Sequence, residues 1–286
     1  MGSGMQLDHV SAIVTGAAGG IGRALVRALL ESGANVLAND IDDARLHGLR
    51  DSMASDHHVR LRLLRADLAD PGSPPRLLDA AEQAFGRANT LINSSGLGRA
   101  IYTRDLLTAP PPVWDIDFSA WQSMFDANTM SPIRLINAAV RRFRVSGWGR
   151  IVTITTSLDH MLAHGSGPYG PSKAALEAYT SILARELNGS GVTANVLVPG
   201  GTVDTPMVPD IPNLARESLL SPEVMVSPLR WLLSKAADNV TCRRIRANLW
   251  DTGLPPEVAY RSASAPAGWW DLAAGQQRRP SQPANQ

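Results

Sequence analysis

The chain has 286 residues, 44% of them hydrophobic, which is ample for a sizeable core. Its 27 basic and 26 acidic side chains leave a formal net charge of +1, so the overall balance gives no reason to expect a nucleic acid partner. The lone Cys242 excludes an intramolecular disulfide framework; Met1 to Val10 lacks the pattern of a signal peptide, and no run approaches the ~20 apolar residues that cross a bilayer, so the expected location is cytoplasmic, away from membranes.

Apolar β-prone runs alternate with segments of helical period along the chain, the pattern of strands joined by crossover helices in a parallel sheet. Ala12-Ile13-Val14 is short and wholly apolar, as a strand buried on both faces should be. After a glycine turn, Ile21, Leu25, Ala28 and Leu29 recur at helical spacing until Gly33. Asn35 to Asn39 predicts a second strand, Asp43 to Ser52 a helix, Val59 to Arg65 a third strand, and Ser73-Pro74-Pro75 the start of a helix ending near Gly86. Thr90-Leu91-Ile92 is the fourth strand. The stretch from Leu97 to Phe118, with Pro110-Pro111-Pro112, is too long for an idle connection and is expected to wall a substrate pocket.

Beyond it the pattern predicts one long helix from Ser119 to about Arg144, a strand from Arg150 to Thr155, a helix carrying Tyr169 and Lys173 that ends near Gly189, and a sixth strand from Thr193 to Val198. Thr202 to Ser221 reads as a loop, Pro222 to Lys235 as a helix and Arg243 to Asn248 as the last strand. No internal repeat or linker divides the chain, so residues 1–254 are expected to form a single catalytic domain of doubly wound α/β, Rossmann-type architecture. Residues 255–286, rich in Pro, Ala, Ser and Gln, are expected to be a tail, poorly ordered beyond Trp270.

Thr15-Gly16-Ala17-Ala18-Gly19-Gly20-Ile21-Gly22 joins the first strand to the first helix. Glycines there let a pyrophosphate approach the backbone N–H groups of Gly20, Ile21 and Gly22 at the positive end of the helix, around the turn at Gly16. Asp40 ends the second strand near the ~20-residue offset of a carboxylate that binds an adenosine ribose, and its charge repels a 2′-phosphate. NAD is therefore favoured over NADP; Arg23 and Arg45 are the counter-evidence, and surface placement is the plainer account of both.

Tyr169 and Lys173 lie four apart, so on a helix they share a face, and an ammonium beside a phenol should lower the phenol's pKa toward that of a general acid/base. Seen with Asp67-Leu68, Asn93-Ser94-Ser95-Gly96, Asn128, Gly149 to Thr155, and Pro199-Gly200 with Thr205, these motifs make residues 8 to 252 resemble a short-chain dehydrogenase/reductase. The resemblance implies a hydride exchanged between a nicotinamide and a secondary alcohol or ketone, with Tyr169 moving the proton, Lys173 binding the nicotinamide ribose, and Asn128 supporting a water relay. It implies a serine-type hydroxyl on the substrate oxygen: an ungapped count falls on Thr156, but Ser157 is preferred because serine is the usual chemistry there. It also implies that Asp67 and Leu68 lie near the adenine, that Asn93, Gly96, Pro199 and Gly200 border the cofactor, that Val203 and Thr205 border the carboxamide, and that the long helices build a homotetramer or homodimer.

The rival readings are an NADPH-dependent carbonyl reductase of the same fold and a catalytically silent nucleotide-binding protein. The histidines lack the partners and spacing of a metal site, so no metal is expected; His160 and His164 are read as pocket lining or surface. Trp114 and Met207, in the two pocket loops, hint at a partly apolar substrate. Trp269-Trp270 should dock on the body or on a neighbouring subunit.

Overall fold

The computed structural model describes residues 5–103, 109–209 and 214–273. Eight strands form one sheet in the order β3-β2-β1-β4-β5-β6-β7-β8: β1 Ser11–Thr15, β2 Asn35–Asp40, β3 Leu61–Arg65, β4 Thr90–Asn93, β5 Gly149–Ile154, β6 Val192–Val198, β7 Arg243–Arg246 and β8 Ser264–Pro266. The first seven run parallel and β8 runs antiparallel to β7. Helices α1 Gly20–Glu31, α2 Asp43–Asp51, α3 Ser73–Phe85, α4 Phe118–Phe125, α5 Ser131–Ser146, α6 Leu158–Leu162, α7 Tyr169–Glu186, α8 Val226–Leu233 and α9 Pro256–Ala263 follow in chain order.

The unbroken apolar character of the central strands has its cause in two cores. Ala12 and Val14 of β1 face α1, α2 and α8 through Leu25, Leu46 and Leu229, whereas Ile13 faces α3, α5 and α7 through Leu77, Leu135 and Leu176. A parallel strand covered on both faces has no polar side to show. The direction of winding reverses between β1 and β4, and such a switch point opens a crevice at the strands' carboxyl ends, where ligands of doubly wound folds bind.

Several expected elements need correction. The predicted single helix from Ser119 to Arg144 is α4, a π turn at Asp126–Met130, and α5. Pro132 has no N–H to give to the Asn128 carbonyl, so α-helical hydrogen bonding cannot run through that turn. The segment from Pro255 carries α9 and β8, the latter paired with β7; expectations for residues after 273 lie outside the described residues. The last parallel strand stops at Arg246 and gives way to a 3-10 turn over Ala247–Leu249, and the helix expected from Pro222 begins as a 3-10 turn before α8.

Candidate active site

The glycine turn is built so that only glycine fits where backbones meet. Gly16 has φ of +60°, and a Cβ there would lie 2.7 Å from Ser95 Cα. A Cβ on Gly22 would run into the Gly16 carbonyl oxygen, and one on Gly20 would lie 2.5 Å from Thr205 Cγ2. Helix α1 has no side-chain cap and no acid in its first turn, whereas α2 is capped by Asp42. The first N–H groups of α1 have no acceptor within the helix, which leaves a site suited to phosphate oxygens. Asp40 closes one side of this turn: its Oδ2 accepts from Ala18 N at 3.1 Å. Arg23 turns instead to Gly48 O and Ser52 Oγ, at 3.1 and 2.9 Å.

The loop after β4 connects this turn to the tyrosine and lysine. The Thr15 hydroxyl accepts from the backbone N–H groups of Ser94 and Ser95, at 3.1 and 3.2 Å, and donates to Ser95 Oγ at 3.1 Å. Gly96 comes next, and a Cβ on it would lie 2.7 Å from Asn128 Oδ1 and 3.2 Å from Lys173 Nζ. Asn128 is buried on the π turn and grips Leu97 at both ends: its Oδ1 accepts from Leu97 N at 2.7 Å and its Nδ2 donates to Leu97 O at 3.0 Å. The same Nδ2 donates to Ser172 Oγ at 3.1 Å, tying the loop to α7. Asn93 ends β4 fully enclosed, with neither amide atom satisfied.

Tyr169 opens α7, and the Thr156 hydroxyl lies beside its phenol. Ser157 faces elsewhere: it stands at the N-cap of α6 with its Oγ 2.7 Å from His160 Nδ1. Of the two candidate hydroxyls, that of Thr156 is the one beside the phenol. Lys173 is buried, with Nζ donating to Ile154 O at 3.3 Å. Burial raises the Tyr169 phenol above its ordinary value against the opposing Thr156 hydrogen bond and Arg99 charge, and it lowers Lys173 to about 8. The expected acidification of Tyr169 by Lys173 is therefore not what this environment does; desolvation dominates and favours the neutral form of each group.

Asp67 is exposed and forms a local turn with Ala69 N at 2.8 Å, while Leu68 is buried beneath it. Gly200, with φ of +88°, sits directly against Asn248, which donates to Gly200 O at 3.2 Å and whose backbone N–H donates to Pro199 O at 3.0 Å. Val203 is buried and bridges Leu220, and Thr205 rests on Gly20. His160 Nε2 reaches Thr202 Oγ1 at 3.2 Å, joining this loop to the Ser157 segment. His164 lines a cavity of about 320 Å³ with Trp114, Trp121, Met161 and Leu162. Trp270 docks on the body, with the Arg185 guanidinium 4.1 Å from its ring centroid. Among the described residues no group of three His, Cys, Asp or Glu is placed to hold a metal, and no helix is long and apolar enough to cross a membrane.

Sequence reasoning passed over Arg99, whose charge acts on both Tyr169 and Tyr102, and Asn248. Nothing but the closeness of Arg99 to Gly96 pointed to the one, and the distance of Asn248 from Gly200 along the chain hid the other.

The family model for short chain dehydrogenases matches residues 10–214, most of the chain and all of the segments just described except Leu220, Asn248 and Trp270. This chain belongs to the short-chain dehydrogenase family. It is an oxidoreductase of that type, and NAD(P) is the family's cofactor. This dehydrogenase is 34% identical over 199 residues to an NADPH-dependent aldehyde reductase-like protein, chloroplastic, of Arabidopsis thaliana, covering 66% of this chain and 71% of that one. It is 27% identical over 253 residues to the 3-oxoacyl-[acyl-carrier-protein] reductase FabG of Salmonella typhimurium, covering 85% and 98%. A short-chain type dehydrogenase/reductase from Mycobacterium ulcerans shares its fold, with a TM-score of 0.72 at 24% identity over 84% of this chain and 87% of that one.

Proposed function

We propose that this dehydrogenase exchanges a hydride between NAD and a secondary alcohol or ketone, with Tyr169 as general acid/base, Thr156 on the substrate oxygen, Lys173 on the nicotinamide ribose and Asn128 fixing the loop between them. The observation that carries the reading is the convergence of Tyr169 and Lys173, one turn apart on α7, with the Thr156 hydroxyl beside the phenol and the Gly96 loop against both Lys173 Nζ and the glycine turn. The cofactor, when bound, supplies the hydride acceptor or donor. Gly16, Gly20 and Gly22 leave its phosphates unobstructed access to the uncapped N–H groups of α1, and Asp40, beside Ala18, is placed to accept from ribose hydroxyls. Asn93, Gly96, Pro199, Gly200, Val203 and Thr205 complete the proposed contacts, with Asp67 and Leu68 at the adenine end.

Because burial holds Tyr169 as the phenol, its resting form donates a proton to a carbonyl oxygen in the reducing direction; in oxidation the phenolate removes the hydroxyl proton. Thr156, a hydroxyl donor and acceptor, orients the same oxygen. The cavity lined by Trp114, Trp121 and Met161, and the Met207 side chain packed on Gly98, support a partly apolar substrate. Exposed Phe118 on α4, Met130 in the π turn, Val145 on α5 and Ile182 on α7 support a homodimer or homotetramer, read by light scattering.

The test is turnover across an alcohol and ketone panel, followed by the absorbance of the reduced nicotinamide with both cofactors. NADH should bind more tightly than NADPH, and Asp40→Ala should erase that preference. Binding without turnover of any panel member would favour the silent nucleotide-binding reading, and tighter NADPH binding would favour the NADPH-dependent reductase.

A further inference from the structure

Glu177, one turn of α7 beyond Lys173, and Arg244 of β7 form an ion pair in the interior, 0% and 6% exposed at the side chain, and neither has a role in the scheme above. Taking two charges out of water costs several kcal/mol per ion, and an apolar pair of the same volume often serves stability as well or better. The pair's other bonds show what it does instead. Arg244 donates to Glu177 with one nitrogen and, with the other, to the Thr156 carbonyl oxygen at 2.8 Å. Glu177 Oε2 also accepts from the Thr155 hydroxyl at 3.2 Å, and Oε1 accepts from Gly268 N at 3.4 Å. Of the two residues that precede Ser157, Thr155 is thus held by the carboxylate and Thr156 by the guanidinium.

We propose that the Glu177–Arg244 pair is a positioning device that sets the Thr156 hydroxyl against the Tyr169 phenol, and that the C-terminal segment 264–268 completes it by closing on Glu177. The inference rests on the reading of Thr156 as the hydroxyl at the reacting oxygen. Its parts come from α7, β7 and the turn after β8, and Arg244 and Gly268 lie beyond residue 214, where the family match ends. The segment is seated for this role. Gly268 has φ of +67°, and a Cβ on it would lie 2.6 Å from Ser181 Oγ, which itself donates to Ala267 O at 2.9 Å. The choice of arginine follows from its planar fork, which reaches two acceptors at once from a fixed angle; a lysine presents one compact head. Neither Glu177 nor Arg244 touches substrate in this scheme, so both are positioning residues.

The double variant Glu177→Leu/Arg244→Met removes the pair without leaving an unpaired charge. Threonine-methyl-labelled protein is compared with wild type by NMR, the Thr156 peak being assigned with Thr156→Ser, together with the NADH dissociation constant and kcat and KM for the panel ketone that wild type reduces best. The proposal predicts a folded variant with an NADH dissociation constant within about twofold of wild type, a displaced Thr156 methyl peak that no longer responds to Tyr169→Phe, and kcat lowered about tenfold with ketone KM little changed, as expected for loss of one aligned hydrogen bond. A folded variant with the Thr156 peak and kcat unmoved overturns it. Should the double variant not fold, Arg244→Lys keeps the charge opposite Glu177 with a single donor head and is read the same way: a displaced peak supports the proposal and an unmoved one overturns it. If wild type turns over no alcohol or ketone of the panel, the redox reading fails by itself while the Thr156 peak still decides the positioning claim.

Discussion

Replacing Gly96 with alanine tests the joint between the two halves of the site. The added methyl would lie 2.7 Å from Asn128 Oδ1 and 3.2 Å from Lys173 Nζ. Asn128 cannot yield cheaply, because its amide is clamped to Leu97 at 2.7 and 3.0 Å and to Ser172 at 3.1 Å. Overpacking costs about 1–3 kcal/mol, and a lost buried hydrogen bond costs roughly 1 kcal/mol more. A total of roughly 2–4 kcal/mol corresponds to a fall in Tm of about 3–7 °C for a domain of this size. Differential scanning calorimetry reads the Tm, and titration with NADH reads the second effect, a weakening of about tenfold or more as Lys173 and the loop are displaced. A Gly96→Ala protein with unchanged Tm and unchanged NADH affinity would refute the packing argument.

Three further outcomes follow from the geometry. Thr156→Val, which keeps shape and removes the hydroxyl, should lower kcat by about 10²-fold, while Ser157→Ala, whose hydroxyl faces His160, should lower it by less than about threefold; the reverse order in steady-state kinetics would restore Ser157 to the role. Lys173, with its pKa lowered to about 8 from 10.5, binds fewer protons folded than unfolded between those values, so stability against urea should rise with pH from about 8 toward 10. Above about 10 the raised phenol of Tyr169 works in the opposite sense, and Lys173→Met should flatten the rise. Gly22→Ala, with its Cβ directed into the Gly16 carbonyl, should fold with lower stability and lose measurable NADH binding in fluorescence titration.

Much of the fold was legible because the sheet is covered on both faces, which makes strands such as Ile13-Val14 and Val196-Leu197-Val198 wholly apolar. The glycine turn was legible for a related reason: Gly16 and Gly22 meet backbone atoms, a constraint that no other residue satisfies. The π turn at Asn128 escaped because the apolar spacing on either side stays helical, although Pro132 marks the place where the ladder must break. Strand β8 escaped because Ser264-Ala265-Pro266 is short and carries a proline, which an edge strand tolerates and which hides it from pattern reading. Periodicity could not choose between Thr156 and Ser157, since both sit in a loop where one residue of slack swaps them. The Arg244–Glu177 pair joins residues far apart in the chain, and Arg244 looks like one more surface arginine until β7 is placed beside β6.

The proton-transfer role of Tyr169 is tested most directly by Tyr169→Phe, which removes one oxygen and leaves the ring in place. NADH affinity of this variant should match wild type within about twofold, while turnover of the best panel ketone falls by at least about 10³-fold across pH 6–9. A phenylalanine variant that binds NADH and retains substantial ketone turnover would contradict the account.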